Sequence, residues 1–322
     1  MLRDKKYKKK YVFDSNIFLF IWTHCLLLTR KMNIQIDDIT KAELFVSIFQ
    51  HIPKFTEHVN ILLEADRFYV QSINSSHVII MEVVLPSTWF SVYSVSPEIS
   101  MIGLHSSLFY KVLKKREKHQ KIHLECSDAN TDYIEVHLTS IIEGTESTSA
   151  IDKTIFDKHF HIPSIEIETE LVAIPEMEYQ AEFVLDSDAF ANLINQLKDF
   201  GDALEMECSE EKIELRANSS ENGRMLTAIP MADLSEYAIE DGEKIVSEFA
   251  LKYLHEICSY KSISKHVEIS LSRDFPMRIL FRLGNSSSSL KVEVEEEEEE
   301  EERESVEVEP KLLFFIAPKM AD

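Results

Sequence analysis

Glycine is scarce in this chain, with six residues in 322, about 2% where ~7% is usual. No two are close enough to build a GxGxxG or GxxxxGKS/T loop, which disfavours enzymes that cradle nucleotide phosphates. Cysteine occurs only at Cys25, Cys126, Cys208 and Cys258, with no CxxC or other close pair. Neither a disulfide framework nor a zinc site is indicated, and a reducing compartment fits. No HExxH, GxSxG or Cys/His arrangement of recognised spacing occurs, so no catalytic residue, metal or cofactor is nominated. His159 and His161 share one side of a strand but have no third ligand at a suitable spacing, and read as an ordinary surface pair. N-x-S/T matches begin at Asn74, Asn218 and Asn285, without support for secretion. A long apolar run is also missing: residues 17–28 are too short for a membrane helix, and no small-residue cleavage site follows them. Residues 1–31, with a basic start, read as an N-terminal extension.

Positive charge is the other shortage, with 34 Lys and Arg against 57 Asp and Glu, a net −23. A uniformly acidic surface would repel nucleic acid. The average conceals two clusters. Residues 292–310 hold twelve glutamates and one arginine, so this stretch carries −11. Eight of those glutamates are consecutive, and the block reads as a solvated insertion at a strand boundary. Conversely Lys111, Lys114, Lys115, Arg116, Lys118 and Lys121 fall within eleven residues, with Glu117 the only acid among them.

What is present is a plan written twice. A helical period starting near Lys41 precedes the strand FYVQS at 68–72, and one near Ser106 precedes KIHLEC at 121–126. The order recurs with a helix from Ser187 before KIELRA at 212–217, and one from Glu248 before HVEISLS at 266–272. The hydrophobic content of 44% supplies two ordinary cores. The expectation is an α+β chain of two similar domains, at 32–150 and 176–322, each with two short helices packed on antiparallel sheets. A connector at 151–175 joins them, and the glutamate-rich insertion at 292–310 interrupts the second.

On a helical wheel, residues 108–118 place Leu108, Phe109, Val112 and Leu113 inward and Lys111, Lys114, Lys115 and Lys118 outward. The fourth helix repeats this more weakly with Lys252 and His255. The first and third expose polar rather than basic residues, among them Asn192 and Asn195. Lysines without interleaved aromatics suit the backbone of duplex DNA better than stacked single strands.

The strings FYVQSINSSHV (68–78), AIPEMEYQ (173–180), FALKYLHEI (249–257) and FFIAPKM (314–320) resemble, in order and spacing, the proliferating cell nuclear antigen family of eukaryotic-type DNA sliding clamps. The departures and long insertions suit a divergent member, a viral one included. The resemblance implies a homotrimeric ring whose helices line a hole around duplex DNA. It implies no reaction, a nuclear or viral-replication setting, an ATP-dependent clamp loader, and docking of DNA polymerase and of other replication and repair proteins. By position Lys111, Lys114 and Lys252 match basic hole-lining residues, Lys115, Arg116 and Lys118 extend the patch, and Asn192 and Asn195 replace usual arginines. The partner-peptide pocket maps to Ile73, His77, Val78, Val172, Ile174, Pro276, Phe315, Ala317 and Pro318. Ring closure maps to an edge strand at 132–141, with Tyr133, Glu135 and His137, against residues 222–229, with Arg224, Leu226 and Ala228. The rivals are one subunit of a heterotrimeric checkpoint clamp and, in another class, a metal-dependent nuclease.

Overall fold

The computed structural model describes residues 30–97, 99–127, 130–140, 155–167, 171–175, 177–240, 242–284 and 308–319. The extension as far as residue 29, the loop at 143–150 and the glutamate run as far as 307 lie outside the described residues.

The first half runs β1 (Arg30–Ile36), α1 (Ile39–His51), β2 (His58–Leu63), β3 (Arg67–Ile73), β4 (Ile79–Pro86), β5 (Val92–Val95), β6 (Met101–His105), α2 (Ser106–Leu113), β7 (Gln120–Ser127), β8 (Asn130–Ser140) and β9 (Lys158–Pro163). The second runs β10 (Ala181–Asp186), α3 (Ser187–Lys198), β11 (Ala203–Cys208), β12 (Lys212–Ser219), β13 (Gly223–Pro230), β14 (Glu236–Ile239), β15 (Ile245–Ala250), α4 (Leu251–Ile257), β16 (His266–Leu271), β17 (Met277–Arg282) and β18 (Lys311–Ile316). Adding nine to every strand number turns the first half into the second.

The sheets obey the same rule. A five-stranded sheet has the order β5-β1-β7-β8-β9 and a four-stranded one β13-β12-β11-β15. The nine-stranded sheet, β14-β10-β16-β17-β18-β4-β3-β2-β6, is their counterparts joined edge to edge. The join is the antiparallel β18–β4 ladder, in which Phe314 faces Met81 and Leu313 faces Glu82.

Both halves start their first helix in the same way. The Asp38 carboxylate accepts from the Lys41 amide and the Asp186 carboxylate from that of Ala189, each at 2.9 Å, satisfying an amide that the helix itself cannot. Each helix then buries one stripe, Phe45, Ile48 and Phe49 in α1, Phe109 and Val112 in α2, and Phe190, Ile194 and Leu197 in α3. Phe49 and Phe109 meet edge to face at 4.8 Å, locking α1 to α2. Across the halves, His51 stands edge-on to the buried Tyr260 at 5.1 Å, and Lys54 Nζ donates to Ser259 at 2.8 Å. The helical layer is therefore continuous over both halves. Cys126, Cys208 and Cys258 are buried and form no disulfide among the described residues, and burial pushes Cys208 and Cys258 up to about 12, which makes those two inert.

Two expectations need correction. Residues 132–140 are not an edge, because β8 is paired on both sides, to β7 and to β9. The edge is β9, whose Lys158–Pro163 the connector was expected to contain. Beyond β9 the chain crosses the sheet face opposite the helices. Gly103 permits this crossing: a Cβ there would lie 2.2 Å from the Ile165 carbonyl oxygen. Asn60 Nδ2 then donates to the Ile167 carbonyl at 3.2 Å. The Gln71 side chain closes the crossing, accepting from the Val172 amide at 2.8 Å and donating to its carbonyl at 2.9 Å.

Candidate functional site

The helical layer exposes a cationic patch. Lys111, Lys114, Lys115 and Lys118 are all exposed on or just after α2, and none forms an ion pair among the described residues. Glu117, the one acid in the cluster, is neutralised from behind by Lys158 Nζ at 2.5 Å. That pairing leaves the outward lysines as the net charge of the surface. Arg116 does not share this surface. Its guanidinium donates to the carbonyls of Gln120 (2.6 Å), Lys118 (3.1 Å) and Ile39 (3.3 Å), and burial lowers its pKa. It fastens the end of α2 to the start of α1. Lys121 is half-buried beside Asp37 at 3.6 Å.

The second half offers less charge. Lys252 is exposed on α4, 5.4 Å from the Tyr253 ring centroid. Asn192 and Asn195 are exposed on α3, and Asn195 Oδ1 lies 2.7 Å from His255 Nδ1. Burial and the neighbouring Lys198 and Lys54 depress His255, and burial together with Lys54 lowers His51 to about 4. Both histidines are neutral at neutral pH, so α2 dominates the positive field.

The opposite face carries the second candidate surface. Strand alternation aims Ile73, Ile80 and Phe315 outward in one cross-strand row. Beside this row Tyr69, Val84, Leu280 and Leu313 form an apolar cluster separate from the main core, and Phe315 packs against it. The Ala317 amide donates to the Val78 carbonyl at 2.9 Å, bringing the tail to the β3–β4 hairpin. His77, exposed at that hairpin, takes a φ of 54°, a left-handed conformation uncommon for a side-chain-bearing residue. Pro276 precedes β17 where Met277 pairs with Ile316, and Pro318 follows Ala317. Val172 is held beside them by Gln71, with Ile174 half-buried two residues on. The residues that position this surface, Gln71, Tyr69, Leu280 and Leu313, were not among those nominated from sequence.

The third surface is the pair of edges. Among the described residues β9 pairs only with β8, and β13 only with β12. Arg224, Leu226 and Ala228 are exposed on β13, with Leu226 49% exposed. Tyr133, Glu135 and His137, expected at such an edge, lie one strand further in. His159 and His161 are exposed on one side of β9, and each has a neighbour on β8: His159 touches His137, and His161 stacks edge-on with Tyr133 at 4.7 Å.

Comparison with known proteins agrees with the repeated plan. The family description "Proliferating cell nuclear antigen, N-terminal domain" matches residues 37–158, and "Proliferating cell nuclear antigen, C-terminal domain" matches 173–293. A proliferating cell nuclear antigen from Chaetomium thermophilum is 24% identical over 252 residues, covering 77% of this chain and 92% of the relative.

Proposed function

The chain belongs to the proliferating cell nuclear antigen family of sliding clamps, and from that premise we propose that it is a DNA polymerase processivity factor acting as a homotrimeric ring. The observation that carries the ring is the unequal use of equivalent edges. β18 is covered by β4 within the chain, while their counterparts β9 and β13 each have a ladder partner on one side only among the described residues. An exposed edge invites pairing, and a head-to-tail contact between two different edges generates a closed ring when the rotation permits. Carrying the β18–β4 register over to β9 and β13 sets Phe160 opposite Met225, His159 opposite Leu226 and His161 opposite Arg224 of the next subunit. Both halves of that junction lie in one chain, which favours self-assembly over the checkpoint-type arrangement of three different chains.

Within such a ring the continuous helical layer faces the hole. Lys111, Lys114, Lys115 and Lys118 contact phosphates without reading bases, with Lys252 a weaker second contribution. The outward apolar row beneath the connector receives an anchor peptide from the polymerase and other partners. An ATP-dependent loader opens the ring, which works in the nucleus or a viral replication compartment and performs no reaction itself.

The test is the native mass of chains beginning at Met1 and at Met32, with retention on closed circular and linear DNA. The expected result is a trimer that stays on circles and slides from free ends. A monomer, or retention indifferent to ends, would overturn the proposal.

A further inference from the structure

The outer face of β7–β9, turned away from the helices, carries a constellation whose ligating chemistry the clamp reading does not use. His123, His137 and His159 stand in one cross-strand row, directly opposite one another on three adjacent strands. Glu125, Glu135 and His161 form the next row on the same face. This arrangement brings six side chains with ligating atoms together from strand positions far apart in sequence.

We propose that this face binds one borderline-soft divalent cation of the zinc type, with His123, Glu125 and His137 as ligands and Glu135 at the fourth position. The ligating atoms of His123, Glu125 and His137 all lie within 4.8 Å of one another. Glu125 Oε2 is 3.5 Å from His123 Nε2 and 4.0 Å from His137 Nε2, and Glu135 Oε2 is 3.5 Å from His137 Nε2. Zinc bonds of about 2.0–2.2 Å in tetrahedral geometry separate ligand atoms by roughly 3.4 Å. The side chains therefore need to close by about 0.1–0.6 Å across these three pairs, and by no more than about 1.4 Å for any pair among His123, Glu125 and His137.

Two further observations support a cation there. Nδ1 of His137 is in hydrogen-bond contact with Nδ1 of His159. With the proton on His137 Nδ1, donated to His159, the His137 Nε2 lone pair is left facing the two carboxylates. An outer partner that fixes the tautomer in this way is a regular companion of a metal-bound imidazole. Secondly, Glu125 and Glu135 are directly opposed while their side chains are only 13% and 24% exposed. Like charges opposed across a sheet repel, and a cation between them converts that cost into binding. Imidazole and carboxylate together suit zinc better than magnesium or calcium, which prefer oxygen alone.

All the proposed ligands belong to one chain, so the site does not depend on ring assembly. The metal-free full chain is titrated with Zn²⁺ by calorimetry and with Co²⁺, whose visible absorption reports tetrahedral coordination. The expected result is one saturable equivalent with tetrahedral bands. H123A/H137A abolishes it, E125Q weakens it at least tenfold, and H159A weakens it by about 10- to 100-fold without changing the stoichiometry. E125Q, which preserves shape, decides the matter if the double variant does not fold. A second group, Glu57, His58 and His105, also places its ligating atoms within 4.8 Å of one another and serves as the control. Absence of saturable binding, binding unchanged by E125Q, or binding removed by H58A/H105A would overturn the proposal.

Discussion

The outer faces of the two equivalent sheets have the same ladders and different chemistry. On β10, β16 and β17, carboxylates are met by arginine: Arg282 of β17 reaches Glu268 of β16 at 2.5 Å and Arg278 of β17 reaches Glu182 of β10 at 2.6 Å. At the matching positions of β7 and β8, His123, Glu125, Glu135 and His137 stand where the second half has Glu268, Ser270, Arg278 and Leu280. Guanidinium keeps its charge and its forked donors under all ordinary conditions, so the second face is self-sufficient. Imidazole needs a proton or a metal to do the same, so the first face depends on its surroundings. The edges differ in parallel: Phe314 on β18 is fully buried by β4, whereas its counterpart Phe160 on β9 is half-buried. A duplicated plan thus conserves what faces the core and diverges in what covers its outside.

The sharpest test of that contrast compares the two phenylalanines. Phe314→Ala should destabilise the isolated chain by about 3–5 kcal/mol in chemical denaturation, since it empties a closed core site. Phe160→Ala should cost about 1 kcal/mol there and act chiefly on assembly, measured as native mass. Equal losses in the isolated chain would mean that β9 is already covered. Next in size is the charge chemistry. Arg282→Ala leaves Glu268, whose side chain is 9% exposed, without its arginine, and should cost about 2 kcal/mol. Glu135→Gln on the histidine face, tested without metal, should be neutral or slightly stabilising because it removes an opposed carboxylate. The helical layer provides the third test. Replacing Lys111, Lys114 and Lys115 together by alanine should flatten the salt dependence of DNA affinity, by about 0.9 in log–log slope for each phosphate no longer neutralised. Lys252→Ala should release at most one phosphate, and a larger effect would reverse the ranking of α2 over α4.

The smallest effect concerns the histidines of that layer. His51 is lowered to about 4 in the folded chain, while an unfolded histidine titrates near ~6.5. The unfolded chain takes up the proton first, so this contribution to stability is complete above about 6.5 and is lost as pH falls toward 4. His51→Gln should flatten that fall by about 1 kcal/mol, the half-exposed ring being screened by solvent. His255→Gln should flatten it less, because its ring is more exposed. Stability measured between pH 4 and 7 separates the two.

The repeated order and all four helices were legible in sequence because an amphipathic stripe has one period and a half-buried strand another. Asp38 and Asp186 even mark where two of the helices begin. The place of β9 was not legible: His159 and His161 read as one side of a strand, but KHFHIP follows a polar stretch and is short enough to be assigned to the connector rather than to the sheet edge. That misreading moved the edge one strand inward and made Tyr133, Glu135 and His137 edge residues. The lysine patch could be read from one helix, but the role of Arg116 could not, since its carbonyl partner on Ile39 is 77 residues away. The histidine row was hidden for a related reason. Its members are 14 and 22 residues apart in sequence, and only strand register makes them neighbours.

The stretch of sequence between β17 and β18 is bracketed by a closed pair of ends, where the Leu283 amide donates to the Pro310 carbonyl at 2.9 Å. Those two strands remain paired whatever intervenes, and each doubling of the intervening length adds only about 0.6 kcal/mol of closure entropy. Evolution can accordingly lengthen, shorten or recharge this stretch as an interchangeable cassette, leaving the architecture that bears it untouched.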